Sequence, residues 1–102
     1  MSRVVEINSV NAQNSFISSN SRAVIFFGSE RCGHCRSMKL LFNKLSNKYT
    51  NISFGHIEVT KVKVANLQGV PVFVAYRDHN PLDSVVGSKE QELIKMIETR
   101  LM

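Results

Sequence analysis

The sequence predicts an α/β fold in which a mixed β-sheet carries helices on both faces. Three observations support this prediction: β-branched and aromatic runs alternate with segments of helical periodicity, the last two runs follow each other directly, and a helical segment comes last. Alternating strands and helices form a parallel sheet, and a late hairpin adds antiparallel strands to it. The predicted order is β-α-β-α-β-α-β-β-α, within a single domain over residues 1–102.

The first half of the chain is predicted to contain two strands and two helices. Arg3–Ser9 forms a short strand, and a short helix after it stops at Asn20. Arg22–Ser29 is a continuous β-branched and aromatic run, typical of a central strand buried on both faces. A long helix then begins at Cys32. Apolar side chains at i, i+3 and i+4 spacing predict its inward face: Cys35, Met38, Leu41, Phe42, Leu45 and Tyr49.

Two further strands and a helix are predicted in the middle of the second half. Ile52–Val59 and Val72–Arg77 are rich in β-branched and aromatic residues, which favours strands. The segment between them, Lys61–Gly69, is predicted to form a short helix that ends at the glycine.

A hairpin and a last helix complete the predicted fold. The Asn80-Pro81 step predicts a turn over Asp78–Leu82, and Leu82–Gly87 forms the second strand of the hairpin. Ser88 and Gln91 have the spacing of a capping box that opens the last helix. The inward face of that helix is predicted to hold Leu93, Ile94, Ile97 and Leu101.

Composition and charge argue against several classes of function. The chain is 43% hydrophobic and 21% charged, which is typical of globular proteins. Its net charge is +5, but Lys and Arg are spread from Arg3 to Arg100 without a basic block, so we expect no nucleic-acid partner. The longest apolar runs are too short to span a bilayer, and the first residues do not resemble a secretory signal. We therefore expect a cytoplasmic monomer without a membrane partner.

The only two cysteines, Cys32 and Cys35, lie two residues apart at the predicted start of the long helix. Helix N-termini carry unpaired N–H groups and a partial positive charge, which favour a thiolate over a neutral thiol. The neighbouring Arg31, His34 and Arg36 act in the same direction. Because the thiolate is the nucleophile in disulfide exchange, this placement favours a redox-active pair.

A metal site and a structural disulfide are the alternatives to a redox pair. A zinc site normally needs four Cys or His ligands, and His56 and His79 are not at ligand spacing. A disulfide that closes so small a loop constrains the unfolded chain least. We therefore predict no metal, and no cofactor beyond a redox-active disulfide between Cys32 and Cys35.

The stretch FFGSERCGHCRSMK, the long helix after it and GVPVF downstream resemble the thioredoxin family over essentially the whole chain. The Cys-Gly-His-Cys spelling is similar to that of protein disulfide isomerase catalytic domains. The resemblance implies the thioredoxin fold and an oxidoreductase that reduces or exchanges protein disulfides, with a reductase or glutathione as electron donor. Cys32 is then the nucleophile, Cys35 the resolving cysteine, and His34 a residue that tunes the thiolate and the redox potential.

The resemblance also implies a groove for the substrate. Pro71 matches the cis proline of the family, which faces the cysteine pair. The backbone of Val70 is then expected to pair with an extended substrate peptide. Gly87 matches a glycine that borders the groove, and Arg31 and Gly33 are expected to contact the substrate beside the cysteines.

Four positions depart from the family pattern, one of them Leu40, which takes the place of the proline that usually kinks the long helix. Phe26 replaces the buried acid that usually lies six positions before the first cysteine, so deprotonation of Cys35 is expected to rely on water, substrate or His34. Gly28 and Arg31 occupy positions that usually hold Trp. Such losses would also suit a non-catalytic binding subunit with this fold, and glutaredoxin-like use of glutathione is a further alternative.

Overall fold

Five strands and three helices make up the part of the chain that the computed structural model describes, which is residues 2–64, 67 and 69–102. In chain order they are β1 (Val5–Ile7), α1 (Val10–Ser19), β2 (Arg22–Gly28), α2 (Gly33–Lys48), β3 (Ser53–Glu58), β4 (Val72–Arg77), β5 (Asn80–Val86) and α3 (Glu90–Arg100). The strands form one sheet in the order β1-β3-β2-β4-β5. Strand β3 pairs in parallel with β1 and β2, whereas β4 is antiparallel to β2 and β5. The predicted mixed sheet is therefore confirmed.

None of the helices in the described residues is long and apolar enough to cross a membrane.

Strand β2 lies in the middle of the sheet, and all of its residues after Arg22 are buried. Val24 and Phe26 pack in one cluster with residues of α2 and α3, whereas Ile25 and Phe27 pack in another with a residue of α1. Since successive side chains of a strand point to opposite faces, α2 and α3 cover one face of the sheet and α1 the other. The apolar run is thus a strand buried on both faces, as predicted.

Strand β1 is shorter than the predicted Arg3–Ser9. The side chain of Ser9 caps α1 by accepting the N–H of Ala12 over 3.0 Å, which ends the strand. At the other end, the N–H of Arg3 donates to Oγ of Ser46 over 3.0 Å instead of to a neighbouring strand. Helix α1 ends just before Asn20, as predicted.

The helix predicted over Lys61–Gly69 is not found in the described residues of that segment. Residues 65, 66 and 68 lie outside the described residues, and residues 61–64, 67 and 69 carry no helix. The N–H groups of Lys61 and Val62 donate to the carbonyl of Glu58, which makes a tight turn directly after β3. Strand β4, which follows the segment, has the predicted bounds.

The hairpin between β4 and β5 turns within the predicted stretch Asp78–Leu82, at its first two residues. Its turn residues are Asp78 and His79, which have positive φ angles of 51° and 75°. The Asn80-Pro81 step lies inside β5 instead of in the turn. Strand β5 is at the edge of the sheet, where the missing N–H of a proline is tolerated, so it can begin before the predicted Leu82.

Helix α3 begins without the predicted capping box at Ser88 and Gln91. The N-cap is Lys89, which makes no side-chain capping hydrogen bond, because the helix begins one residue later than the box requires. Ile94 is only half-buried, and Met96 takes its place on the buried face. That face holds Leu93, Met96, Ile97 and Leu101.

Candidate active site

The two cysteines lie where the central strand β2 passes into helix α2. Cys32 is the N-cap of α2, with extended backbone angles of φ −94° and ψ 115°. Its Sγ accepts the N–H of Cys35 over 3.2 Å, and its own N–H donates to the carbonyl of Ser29 over 3.0 Å. The structure describes the pair without a disulfide between the two sulfurs. The predicted placement of the pair at a helix N-terminus is therefore confirmed.

The two sulfurs have different surroundings. Cys32 is half-buried, whereas Cys35 is only 5% exposed. Burial, together with the interaction with the Cys32 sulfur, raises the pKa of Cys35 from its ordinary 9.0 to about 11. At pH 7 a thiol with this pKa is ionised in about one molecule in ten thousand. Cys32 is thus the sulfur that an incoming molecule can reach, and Cys35 is the one that holds its proton.

An open groove of about 530 Å³ lies beside the cysteine pair. Cys32, Gly33 and Cys35 form part of its wall, next to Phe26 and His56. Charged side chains of both signs line the rest, including Glu6, Glu30, Arg31, Arg36, Glu58 and Lys61. Of the predicted binding residues, Arg31 and Gly33 therefore share this groove with the cysteines.

The other predicted binding residues lie beside the ends of β4 and β5. The Val70-Pro71 peptide bond is cis, the isomer that the family resemblance implies. The carbonyl of Pro71 accepts the N–H of Gly87 over 2.8 Å, and Gly87 has a φ of 96° that favours glycine. Val70 packs against the same hydrophobic cluster as Cys32. These three residues lie outside the wall of the groove described above.

His34 is exposed on the first turn of α2. Its backbone carbonyl accepts the hydroxyl of Ser37 over 3.2 Å. Within the described part of the chain, no hydrogen bond joins the His34 ring to the sulfur of Cys32, and the ring does not line the groove. Any influence of His34 on Cys32 therefore acts across solvent, where salt screens it.

Phe26 explains why a glycine lies at position 28. The Phe26 ring stacks on Phe73 at 4.7 Å between centroids and meets Phe42 edge-on at 5.5 Å. A Cβ atom at Gly28 would lie only 2.8 Å from Cε1 of Phe26 and 3.5 Å from Sγ of Cys35. The two departures from the family pattern are thus linked, because the ring at position 26 fills the space that a side chain at 28 would need.

His56 is a groove residue that the sequence did not indicate as functional. It is 7% exposed, its ring lies 5.1 Å from that of Phe26, and its Nδ1 lies 2.8 Å from Oε1 of Glu6. The pairing of β2 with β3 sets Phe26 opposite His56, so both side chains point to the face covered by α2. This juxtaposition depends on the register between strands about 30 residues apart, and a single sequence does not show that register.

Glu58 places a carboxylate in the groove at the end of β3. Burial alone would raise the pKa of Glu58, but hydrogen bonds from Thr60 and from the N–H of Glu30 together lower it. The charge of Glu58 adds to the forces that raise the pKa of Cys35. Although the groove contains carboxylate, imidazole and thiol groups, no cluster of three or more His, Cys, Asp and Glu side chains in the described residues is arranged to hold a metal ion.

Comparison with known proteins agrees with this architecture. The family model for thioredoxin matches residues 3–99. Thioredoxin-3 of Dictyostelium discoideum is 30% identical over 105 residues, which cover 99% of this chain and 100% of that protein. Among solved structures, the thioredoxin of Plasmodium falciparum has a TM-score of 0.89 and 25% identity, covering 94% of this chain and 98% of its own. The thioredoxin NaTrxh of Nicotiana alata has a TM-score of 0.89 and 29% identity, and the match covers 99% of this chain and 95% of that one. The chain belongs to the thioredoxin family, and its paired cysteines support a thiol–disulfide oxidoreductase.

Proposed function

We propose that this protein reduces or exchanges disulfides of other proteins, with Cys32 as the nucleophile and Cys35 as the resolving thiol. The observation that carries the proposal is the asymmetry between the two sulfurs. Cys32 is accessible and its Sγ accepts a backbone N–H, which stabilises a negative charge on the sulfur. Cys35 is buried and has a pKa of about 11. A nucleophile must reach the substrate, whereas a resolving thiol needs to reach only Cys32.

The reaction has two exchange steps. The Cys32 thiolate attacks one sulfur of the substrate disulfide, forms a mixed disulfide, and releases the other substrate sulfur as a thiolate that takes up a proton. Cys35 then loses its proton and attacks Sγ of Cys32, which breaks the bond to the substrate and releases the second thiol. Two electrons pass to the substrate, and the chain is left with a Cys32–Cys35 disulfide. A reductase or glutathione restores the dithiol, and the reverse sequence oxidises a client.

The substrate is proposed to lie over Cys32 between two sets of residues. Arg31 and Gly33 are on the groove side of the cysteine pair. On the other side, an extended peptide pairs with the backbone of Val70, next to Pro71. Gly87 supports this placement, because its hydrogen bond to the carbonyl of Pro71 keeps it beside the proposed peptide site.

Insulin reduction with dithiothreitol as the electron donor tests the proposal. We expect the unmodified protein to accelerate precipitation of the insulin B chain, and Cys32→Ser to fall to the rate measured without protein. Ser37→Ala is the matched control, since Ser37 is exposed on the same helix and is not in the groove. Equal rates for the unmodified protein and Cys32→Ser would contradict the proposal and favour a binding subunit. Efficient turnover with glutathione as the only donor would favour the glutaredoxin-like alternative.

A further inference from the structure

The second exchange step requires a proton acceptor that the reaction above does not identify. Cys35 must become a thiolate before it can attack the mixed disulfide. Burial, together with the interaction with the Cys32 sulfur, holds its pKa far above neutral in the reduced protein. Phe26, which packs behind the pair, is a hydrocarbon ring and cannot accept a proton. An ionisable side chain elsewhere in the groove is the protein group that can take this role.

His56 is in the right part of the fold for this task. It lines the same groove as Cys35 and points to the same face of the sheet. Its ring packs on Phe26, and a Cβ atom at Gly28 would contact both Cε1 of Phe26 and Sγ of Cys35. The Phe26 ring occupies the space beside Gly28, so the route between His56 and Cys35 runs through the groove that both residues line. The groove is open to solvent and charged side chains contribute to its wall, so water can connect the two groups.

Glu6 gives the His56 ring the orientation that a proton acceptor needs. Its Oε1 lies 2.8 Å from Nδ1 of His56, and a carboxylate in that position accepts the Nδ1–H. The lone pair of the neutral ring is then on Nε2. Carboxylate–imidazole pairs fix the tautomer of general bases in this way. Glu6 comes from β1, so three neighbouring strands contribute to the arrangement.

The other ionisable groups around Cys35 fit the role less well. Glu58 lies on the same strand as His56, but its hydrogen bonds from Thr60 and Glu30 lower its pKa, which makes it a weak proton acceptor. His34 is exposed and outside the groove. The remaining charged groups that face the groove from α2 and from the loops beside it are cations or lie at its rim: Arg31, Arg36, Lys39, Lys61 and Glu30.

We propose that His56, oriented by Glu6, accepts the proton of Cys35 while Cys35 resolves the mixed disulfide. This inference rests on the proposed function. The S–H bond of Cys35 breaks, and its proton passes through groove water to Nε2 of His56. The electron pair left on Sγ forms the bond to Cys32, and the bond between Cys32 and the substrate breaks. The departing substrate thiolate takes the proton from the imidazolium, so His56 returns to its neutral form.

Stopped-flow reaction of the reduced protein with equimolar dithiobis(nitrobenzoate) separates the two steps. Attack by Cys32 releases one nitrothiobenzoate, and attack by Cys35 on the resulting mixed disulfide releases the second. With His56→Gln we expect the first phase to be unchanged. The second phase should slow by about 100-fold at pH 7, the low end of the effect of a general base. Its rate should then rise about tenfold per pH unit up to about pH 9, because it follows ionisation of the Cys35 thiol alone.

Two variants accompany this measurement. Glu6→Gln should slow the second phase in the same direction but less, since it keeps the imidazole and removes the negative charge that stabilises the imidazolium. His79→Gln is the control, because His79 lies in the hairpin turn and contacts the carbonyl of Ser18. It should leave both phases unchanged.

The outcomes separate the inference from the function that it rests on. A second phase with the unmodified rate and pH profile in His56→Gln would overturn the role of His56. If His56→Gln does not fold, Glu6→Gln provides the test, because Glu6 is half exposed and its replacement should leave the fold intact. An unaltered pH profile of the second phase in Glu6→Gln would then overturn the inference. Absence of both phases in the unmodified protein would overturn the exchange reaction itself.

Discussion

The backbone N–H of Cys35 donates a hydrogen bond to Sγ of Cys32 over 3.2 Å, so the first cysteine caps the helix that carries the second. The oxygen of Ser, Thr, Asp or Asn usually fills this role at a helix N-terminus. Here a sulfur does, and the same atom is the proposed nucleophile. The bond stabilises negative charge on Cys32 and holds its sulfur against the backbone of Cys35.

Replacing His34 with proline should lower the reduction potential of the couple. A positive or donating ring near the start of α2 stabilises the Cys32 thiolate, and hence the dithiol form. His34 is exposed, so we expect a loss of about 0.3–1 kcal/mol, which is roughly 6–20 mV for a two-electron couple. Equilibration with glutathione redox buffers measures this change.

His34→Ala is the control for the proline, because it removes the ring without restricting the backbone. It should move the potential in the same direction, and the difference from the unmodified protein should shrink at high salt. An unchanged or higher potential in both variants would refute this account of His34.

A methyl group at Gly28 should destabilise the fold. Its Cβ would lie 2.8 Å from the ring of Phe26, which Phe42, Phe73 and His56 hold in place. We expect Gly28→Ala to lower the free energy of unfolding by about 1–3 kcal/mol, the usual cost of overpacking a core. Urea denaturation followed by circular dichroism measures it.

Gly33→Ala is the matched control for Gly28→Ala. No atom lies within 4 Å of the Cβ that it would add, and the residue is already helical. We expect no loss of stability from this change. Equal losses in the two variants would show that contact with the Phe26 ring does not account for the effect at position 28.

Cys35 should make the folded protein sensitive to alkali. Because burial raises the pKa of Cys35 from 9.0 to about 11, the unfolded chain loses this proton at a lower pH than the folded chain. The stability that depends on the protonated thiol is therefore complete below about pH 9 and is lost as the pH rises through about 11. The difference corresponds to about 2–3 kcal/mol.

Urea denaturation of the reduced protein at increasing pH measures this loss, with Cys35→Ala as the reference. A hydrogen bond to Glu98 also raises the pKa of Tyr49, so Tyr49 contributes to the alkaline behaviour of the protein. Tyr49 is present in both proteins, so the difference between them isolates Cys35. Two parallel stability curves would contradict the raised pKa of the buried thiol.

The sequence predicts the parts of the fold whose signal is local and strong. Strand β2 is a continuous run of β-branched and aromatic residues, and helix α2 keeps helical spacing of apolar residues along its length. Both form close to their predicted bounds. The predicted start of β5 is wrong because the Asn80-Pro81 step is expected to lie in the turn, although an edge strand tolerates proline. The prediction of a capping box at Ser88 is wrong because the N-cap of helix α3 is the next residue, Lys89.

The residues of the candidate site also differ in how far the sequence predicts them. Cys32, Cys35, Arg31 and Gly33 are neighbours in the chain, so their shared location follows from the motif. His56 and Glu6 are brought to that location by the parallel register of β1, β3 and β2. Such pairings join distant segments, and the alternation of side chains along one strand does not specify them.

Trapping of the mixed disulfide tests the roles of the two cysteines most directly. Cys35→Ser and Cys32→Ser proteins are incubated with a peptide disulfide, and their masses are measured without reduction. We predict that Cys35→Ser accumulates one peptide, bonded through Cys32, and that Cys32→Ser accumulates almost none at pH 7, because its remaining thiol is buried and protonated. Equal labelling of the two variants, or labelling of Cys35 alone, would contradict the assignment of Cys32 as the nucleophile.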